Sequence, residues 1–133
     1  MYLLKLRINV KGVQEVASPN ATARMVLFDG SCEGQCFSGN ILPGGVDTQI
    51  EYPDGSGTLS ARYMIKGTDA DGNPACLFVE NSAKLGESDT VPHILTDQPT
   101  LHWLESEKLA GRIISDNGEL IILIGKAGDE LSL

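Results

Sequence analysis

The chain has 133 residues, 41% of them hydrophobic, with 18 acidic against 10 basic side chains and a formal net charge of −8. That length suits one domain spanning residues 1–133, with enough apolar surface to bury a core without disulfide or metal staples. A field of this sign repels phosphate backbones and anionic bilayers, so neither nucleic acid nor membrane is expected as a partner.

Tyr2, Leu4, Leu6, Ile8 and Val10 alternate with Lys5, Arg7 and Asn9, the pattern of a half-buried strand. The loop Ser18–Thr22 leads to a short apolar strand, Arg24–Phe28. Asp29-Gly30-Ser31 turns into Cys32–Leu42, which Gly34 and Gly39 interrupt as bends or bulges. Two alternating runs follow, Val46–Tyr52 and Thr58–Lys66, around the turn Pro53–Gly57. A second turn, Thr68–Pro74, precedes the strand Ala75–Asn81, and Ser82–Asp89 reads as a polar loop. Val91–Thr96 and Leu101–Glu105 are expected as short strands. Leu109–Ser115 and Leu120–Gly125 form a last hairpin around Asp116-Asn117-Gly118, the strongest turn signal in the chain. No window carries a helical period. Short strands at this spacing predict an all-β barrel or sandwich.

The cysteines, Cys32, Cys36 and Cys76, are odd in number, and no basic-then-apolar leader follows Met1. A cytoplasmic location with free thiols is the expectation. No apolar run approaches the length of a membrane span.

The motifs FSGNILPGGVDTQ, DGSGTLSARYMIKGTDADG and, later, Gln98-Pro99-Thr100-Leu101-His102-Trp103-Leu104-Glu105 follow one another in a definite order. In that order and spacing they resemble the domain-of-unknown-function 3237 family of calycin-like barrels. Its pattern runs roughly G-x-(V/I)-L-x-G-G-A-D-W-Q, then D-G-x-x-x-(L/V)-D-A-R-Y, then P-x-Y-x-W-L-N. The matching positions are Gly44, Gly45, Asp47, Gln49, Ala61, Arg62, Tyr63, Pro99, Trp103 and Leu104. The resemblance implies a single closed antiparallel, calycin- or lipocalin-like barrel of about eight strands around an interior cavity. It implies no particular reaction. Thr48, Ser60, Leu101 and Glu105 depart from the family's Trp, Asp, Tyr and Asn, so a cavity lined there differs in shape and charge.

Three groups of residues are candidates for chemistry. If the central hairpin pairs Asp47 with Arg62 and the next pairs Arg62 with Glu80, one guanidinium lies between two carboxylates, with Gln49 facing Ser60. Such a fork either orients an acidic or carbonyl-bearing ligand or braces the outer face as a solvated ion pair. In this register the core face carries Val46, Thr48, Ile50, Leu59, Ala61, Tyr63, Ile65, Leu77, Val79 and Asn81. Tyr63 and Asn81 then either satisfy each other or backbone groups, or serve as the hydrogen-bonding groups of an apolar pocket. His102 is a reserve general base near neutral pH, on the opposite strand face from Trp103. Neither the histidines, the Cys32/Cys36 pair nor Asp69–Asn73 matches a metal pattern; the last reads as a turn.

The reading is a barrel that receives a small apolar organic ligand. As an enzyme it is a cofactor-free isomerase or cyclase acting on a carbonyl-containing metabolite, with Asp47, Arg62 and Tyr63 catalytic and Gln49, Asn81, His102 and Trp103 binding ligand. Arg62→Met is then expected to abolish turnover with the fold intact. The alternatives are a ligand carrier, or a structural homo-oligomer built on an exposed strand edge at Leu120–Gly125.

Overall fold

The computed structural model describes residues 1–133. Eight antiparallel strands close into one barrel in chain order: β1 Leu4–Ala17, β2 Thr22–Gly34, β3 Phe37–Glu51, β4 Gly57–Asp69, β5 Pro74–Lys84, β6 Asp89–Thr96, β7 Leu109–Asp116 and β8 Glu119–Lys126. The strands are longer than their apolar runs suggest, because the ladder continues past the buried segment into the hairpins. Cys32–Leu42 is not one interrupted strand. It straddles the β2–β3 turn at Gln35 and Cys36. Ser82–Asp89 likewise contributes to both β5 and β6, leaving only a short turn as loop.

Closure comes from β8, which pairs with β7 and, from Leu120 to Ile124, with Ile8 to Leu4 of β1. The edge expected to be exposed at Leu120–Gly125 is therefore occupied. Its continuous apolar run is explained by burial on both faces. Ile124 packs into the interior, while Ile121 and Leu123 pack outside under Leu131.

The barrel has one plugged end. Leu4, Leu6, Phe37, Ile65, Leu77 and Ile124 fill it, together with Leu101 and Leu104 from the β6–β7 crossover. That crossover is not the expected strand Leu101–Glu105. It forms a 3₁₀ turn, Pro99–Leu101, and a single helical turn, Trp103–Ser106. The reason is spacing. Leu101 and Leu104, three apart, must both point inward, which helical geometry provides and strand alternation forbids. Glu105 accepts the Thr96 amide at 2.9 Å, covering part of the β6 edge, which pairs with β7 only at Asp89 and Thr90.

Turn chemistry sets the registers. Asn117 (φ 51°) and Gly118 (φ 80°) both adopt the left-handed conformation that a tight hairpin needs. In the β3–β4 turn, the Gly55 amide donates to Tyr52 O (2.9 Å) and the Tyr52 amide to Ser56 O (2.8 Å), enclosing a three-residue loop. Asp54 Oδ1 braces it by accepting from Ser56 N (2.9 Å) and Oγ (2.6 Å).

Asp69 organises the β4–β5 turn. Its carboxylate accepts from Thr100 Oγ1 (2.6 Å), Asn73 N (2.8 Å), Asn73 Nδ2 (3.0 Å) and Asp71 N (3.0 Å). These bonds, the Thr100 one foremost, hold its pKa down at about 2. A depressed folded pKa means that Asp69 stabilises the fold above the ordinary aspartate range, and that this is lost as pH falls toward 2. Asp69→Asn is expected to lower the urea midpoint at pH 7, with a difference that shrinks as the pH is taken down through that window.

Candidate functional site

Because the β3–β4 loop holds three residues, Tyr52 sits opposite Ser56, and the register that follows pairs Val46 with Arg62, Asp47 with Ala61 and Gln49 with Leu59. The expected Asp47–Arg62 pair is thus one residue out. The slip puts Val46, Thr48 and Ile50 on the outer face and turns Asp47 and Gln49 inward. The inner assignment of Leu59, Ala61, Tyr63, Ile65, Leu77, Val79 and Asn81 is unaffected.

Asp47 therefore belongs to an interior row, Val26–Asp47–Ala61–Asn81–Pro92, that crosses five adjacent strands. Ala61 leaves a slot between two polar side chains whose backbones are two strand spacings, roughly 10 Å, apart. That slot is part of a cavity of about 90 Å³ in the half of the barrel away from the plug. Ile8, Val10, Val26, Ile113, Leu120 and Ile122 make one wall; Asp47, Tyr63, Asn81 and Thr90 give the other its polar groups. Val10, half-exposed, marks the open end.

Four buried polar atoms lack a hydrogen-bond partner within the protein: Asp47 Oδ1, Tyr63 OH, Asn81 Oδ1 and Thr90 Oγ1. All four belong to residues lining this one cavity. A buried polar atom left unpaired costs about 1–3 kcal/mol. Four in one place are a substantial charge against a domain stability of roughly 5–15 kcal/mol. Core packing alone gives no reason to gather them.

Local sequence holds each group in place. Gly45 allows the Phe28 ring to lie where any side chain would meet it, at 3.1 Å from a Cβ. Phe28 in turn meets the Tyr63 ring edge-on, centroids 5.4 Å apart at 69°. Gly111 pairs with Thr90, and a Cβ there would sit 2.2 Å from Thr90 Oγ1. Gln49 Nε2 donates to Asp47 Oδ2 at 2.8 Å, leaving Oδ1 free.

Burial raises the Asp47 pKa, partly opposed by the Gln49 bond. Burial likewise pushes the Tyr63 hydroxyl far up, so it remains a protonated donor. Cys32, in the core beneath, is pushed up to about 12 by burial and is no nucleophile. All three cysteines are free.

The other candidate residues lie elsewhere. Arg62 is on the outer wall, 63% exposed, its Nε donating to Glu80 at 2.9 Å. The β4–β5 part of the expected fork is present, but it faces away from the cavity. Arg62→Met is now expected to leave ligand binding and turnover unchanged and to alter stability by at most ~1 kcal/mol, measurable by urea titration. His102 and Trp103 are exposed residues of the crossover. His102 Nε2 lies 3.1 Å from Thr96 O, and Lys126 Nζ sits 5.8 Å above the Trp103 ring. Thr96 is six residues along β6 from Thr90, about 20 Å, which puts both at the plugged end. They are not on opposite faces of a strand, because no strand forms there. Thr90 is the site residue the sequence reading missed; only the β6–β7 pairing identifies it.

The architecture and this interior cavity define a small closed β-barrel. The family described as "Protein of unknown function (DUF3237)" matches residues 2–102, and the chain belongs to that family. A UPF0311 protein of Clostridium acetobutylicum is 43% identical over 56 residues, a stretch covering 42% of this chain and 33% of that relative. The chain thus aligns with about a third of the length of that curated relative. Among solved structures, a C. acetobutylicum protein of unknown function superposes with a TM-score of 0.77 at 23% identity, covering 93% of both chains. A β-barrel-like protein of Acinetobacter baumannii gives 0.76 at 19% identity, covering 94% of this chain and 92% of that one. A protein described as an enzyme, from Penicillium herquei, gives 0.74 at 19% identity, with 93% and 92% covered. These likenesses show the fold. No helix is long and apolar enough to cross a membrane.

Proposed function

We propose that the cavity binds a small, largely apolar organic molecule bearing a carbonyl group, and that the protein moves a proton on it without a cofactor, as an isomerase or cyclase. The observation that carries this reading is the convergence of all four unpartnered buried polar atoms on one otherwise apolar cavity. A barrel of the same fold is described as an enzyme, which gives the catalytic reading a precedent.

The side chains divide the work by their chemistry. Tyr63 donates its O–H to the substrate carbonyl oxygen, where negative charge develops. Asp47 Oδ1, ionised, removes a proton from the carbon beside that carbonyl, and the C–H electron pair passes into the enolate. The protonated Asp47 then returns the proton to another carbon of the conjugated system, so atoms and electrons balance. Burial tunes Asp47 toward such service by lifting its basicity. Asn81 Oδ1 accepts from a hydroxyl or amine of the ligand, and Thr90 Oγ1 offers that same ligand group a second hydrogen bond. The apolar wall holds the carbon skeleton in one orientation.

Purified protein incubated with a metabolite extract, washed and denatured, is expected to release a carbonyl-bearing small molecule identifiable by mass spectrometry. A Tyr63→Phe/Asn81→Leu double variant releases none. Identical release from both would remove the cavity from the function. Release of a compound that shows no proton exchange on the protein would make it a carrier.

A further inference from the structure

Toward the open end, one row beyond Asp47, the inner face carries a second polar line. Glu15 of β1 pairs with Arg24 of β2, which pairs with Gln49 of β3. Arg24 Nε donates to Glu15 Oε2 at 2.8 Å, Nη2 to Glu51 Oε1 at 2.5 Å, and Nη1 reaches Gln49 Oε1 at 3.5 Å. The two carboxylates fix the guanidinium plane, and that plane fixes the Gln49 amide. Turned the other way, the amide would set Nε2 against a cation and Oε1 against a carboxylate, two repulsive contacts.

We infer that Arg24 is a positioning residue, acting through Gln49 to aim the one free oxygen of Asp47 into the cavity. The inference rests on the proton-transfer reading of that cavity and adds the part of the protein that sets Asp47's orientation and charge state. In the observed orientation Gln49 donates to Asp47 Oδ2, which favours the ionised carboxylate that a base requires. Without Arg24 the amide is free to invert and present Oε1, which favours the protonated acid instead. The ionisable groups on the inner face around Asp47 are Tyr63 from β4, which lines the same cavity, and, one row toward the open end, Arg24 from β2, Glu15 from β1 and Glu51 from β3. Asn81 and Thr90, from β5 and β6, are uncharged.

The test is the titration of the Asp47 carboxyl carbon by NMR in ligand-free protein, with amide spectra confirming that each variant folds. Gln49→Leu is expected to move the midpoint to higher pH. Arg24→Met combined with Glu51→Gln removes one positive and one negative charge, so local net charge is unchanged, and is expected to move it the same way. In a Gln49→Leu background the same pair should add no further shift. A shift that persists in that background, or no shift from the pair alone, would overturn the relay. Because no ligand enters this titration, its result is independent of whether any substrate turns over.

Discussion

Asp47→Asn is expected to slow deuterium incorporation beside the carbonyl of a probe enone, cyclohex-2-en-1-one, in D₂O by about 10²–10⁴-fold, the range for losing a general base. The same substitution should raise the melting temperature at neutral pH. Burial lifts the folded pKa of Asp47 above its unfolded value, so the native state binds more protons than the unfolded chain between the two. Stability contributed by the protonated form is therefore present below the unfolded pKa and lost as pH rises through the folded one. An amide of the same shape removes that loss and still meets Gln49. The gain in melting temperature should vanish in acid, where Asp47 is neutral in both states. Melting curves at neutral and acidic pH, beside the exchange assay, check both halves. Undiminished exchange would exclude Asp47 as the base.

Ala61→Leu should have an effect of similar size by a different route. Ala61 lies between Asp47 and Asn81 in the interior row, where its small side chain leaves the slot open. Each added methylene contributes up to ~0.8 kcal/mol when buried. Forcing carbon into a well-packed core costs about 1–3 kcal/mol, but here it enters a cavity of about 90 Å³. The urea midpoint is therefore expected to hold or rise, while affinity for cyclohexenone falls at least about a hundredfold. Retained binding with a filled slot would place the ligand elsewhere. Together the two variants separate chemistry from room, since one removes a proton acceptor and the other removes space.

The antiparallel all-β architecture was legible from alternation in Tyr2–Val10 and from turn residues such as Asp116-Asn117-Gly118, whereas closure into a barrel followed only from the resemblance carried by the family motifs. Tyr63 and Asn81 were legible as inward polar residues because β4 and β5 alternate cleanly. The relation between Asp47 and Arg62 was not. Both sit beside one loop, and whether Pro53–Gly57 encloses an odd or an even number of residues decides which of them faces inward. That count follows from how Gly55 closes on Tyr52, which composition does not reveal. The helical turn at Trp103 was obscured because four residues are too few to show a period. Thr90 was illegible for a further reason: its place depends on a two-residue contact between β6 and β7 made possible by Gly111. Arg24 reads as an ordinary strand charge until β2 is seen to extend beyond the core, keeping its inward face.

The central claim is that four unpaired polar atoms in an apolar cavity wait for the functional groups of a small molecule. A high-resolution crystal structure with a hydroxylated probe enone, 4-hydroxycyclohex-2-en-1-one, bound tests it most directly. The carbonyl oxygen is expected within hydrogen-bond reach of Tyr63 OH, the adjacent carbon facing Asp47 Oδ1, the ligand hydroxyl donating to Asn81 Oδ1, and the ring against Ile8, Val26 and Ile122. Enone bound only on the outer wall, with ordered water alone bridging Asp47, Tyr63, Asn81 and Thr90, would contradict it.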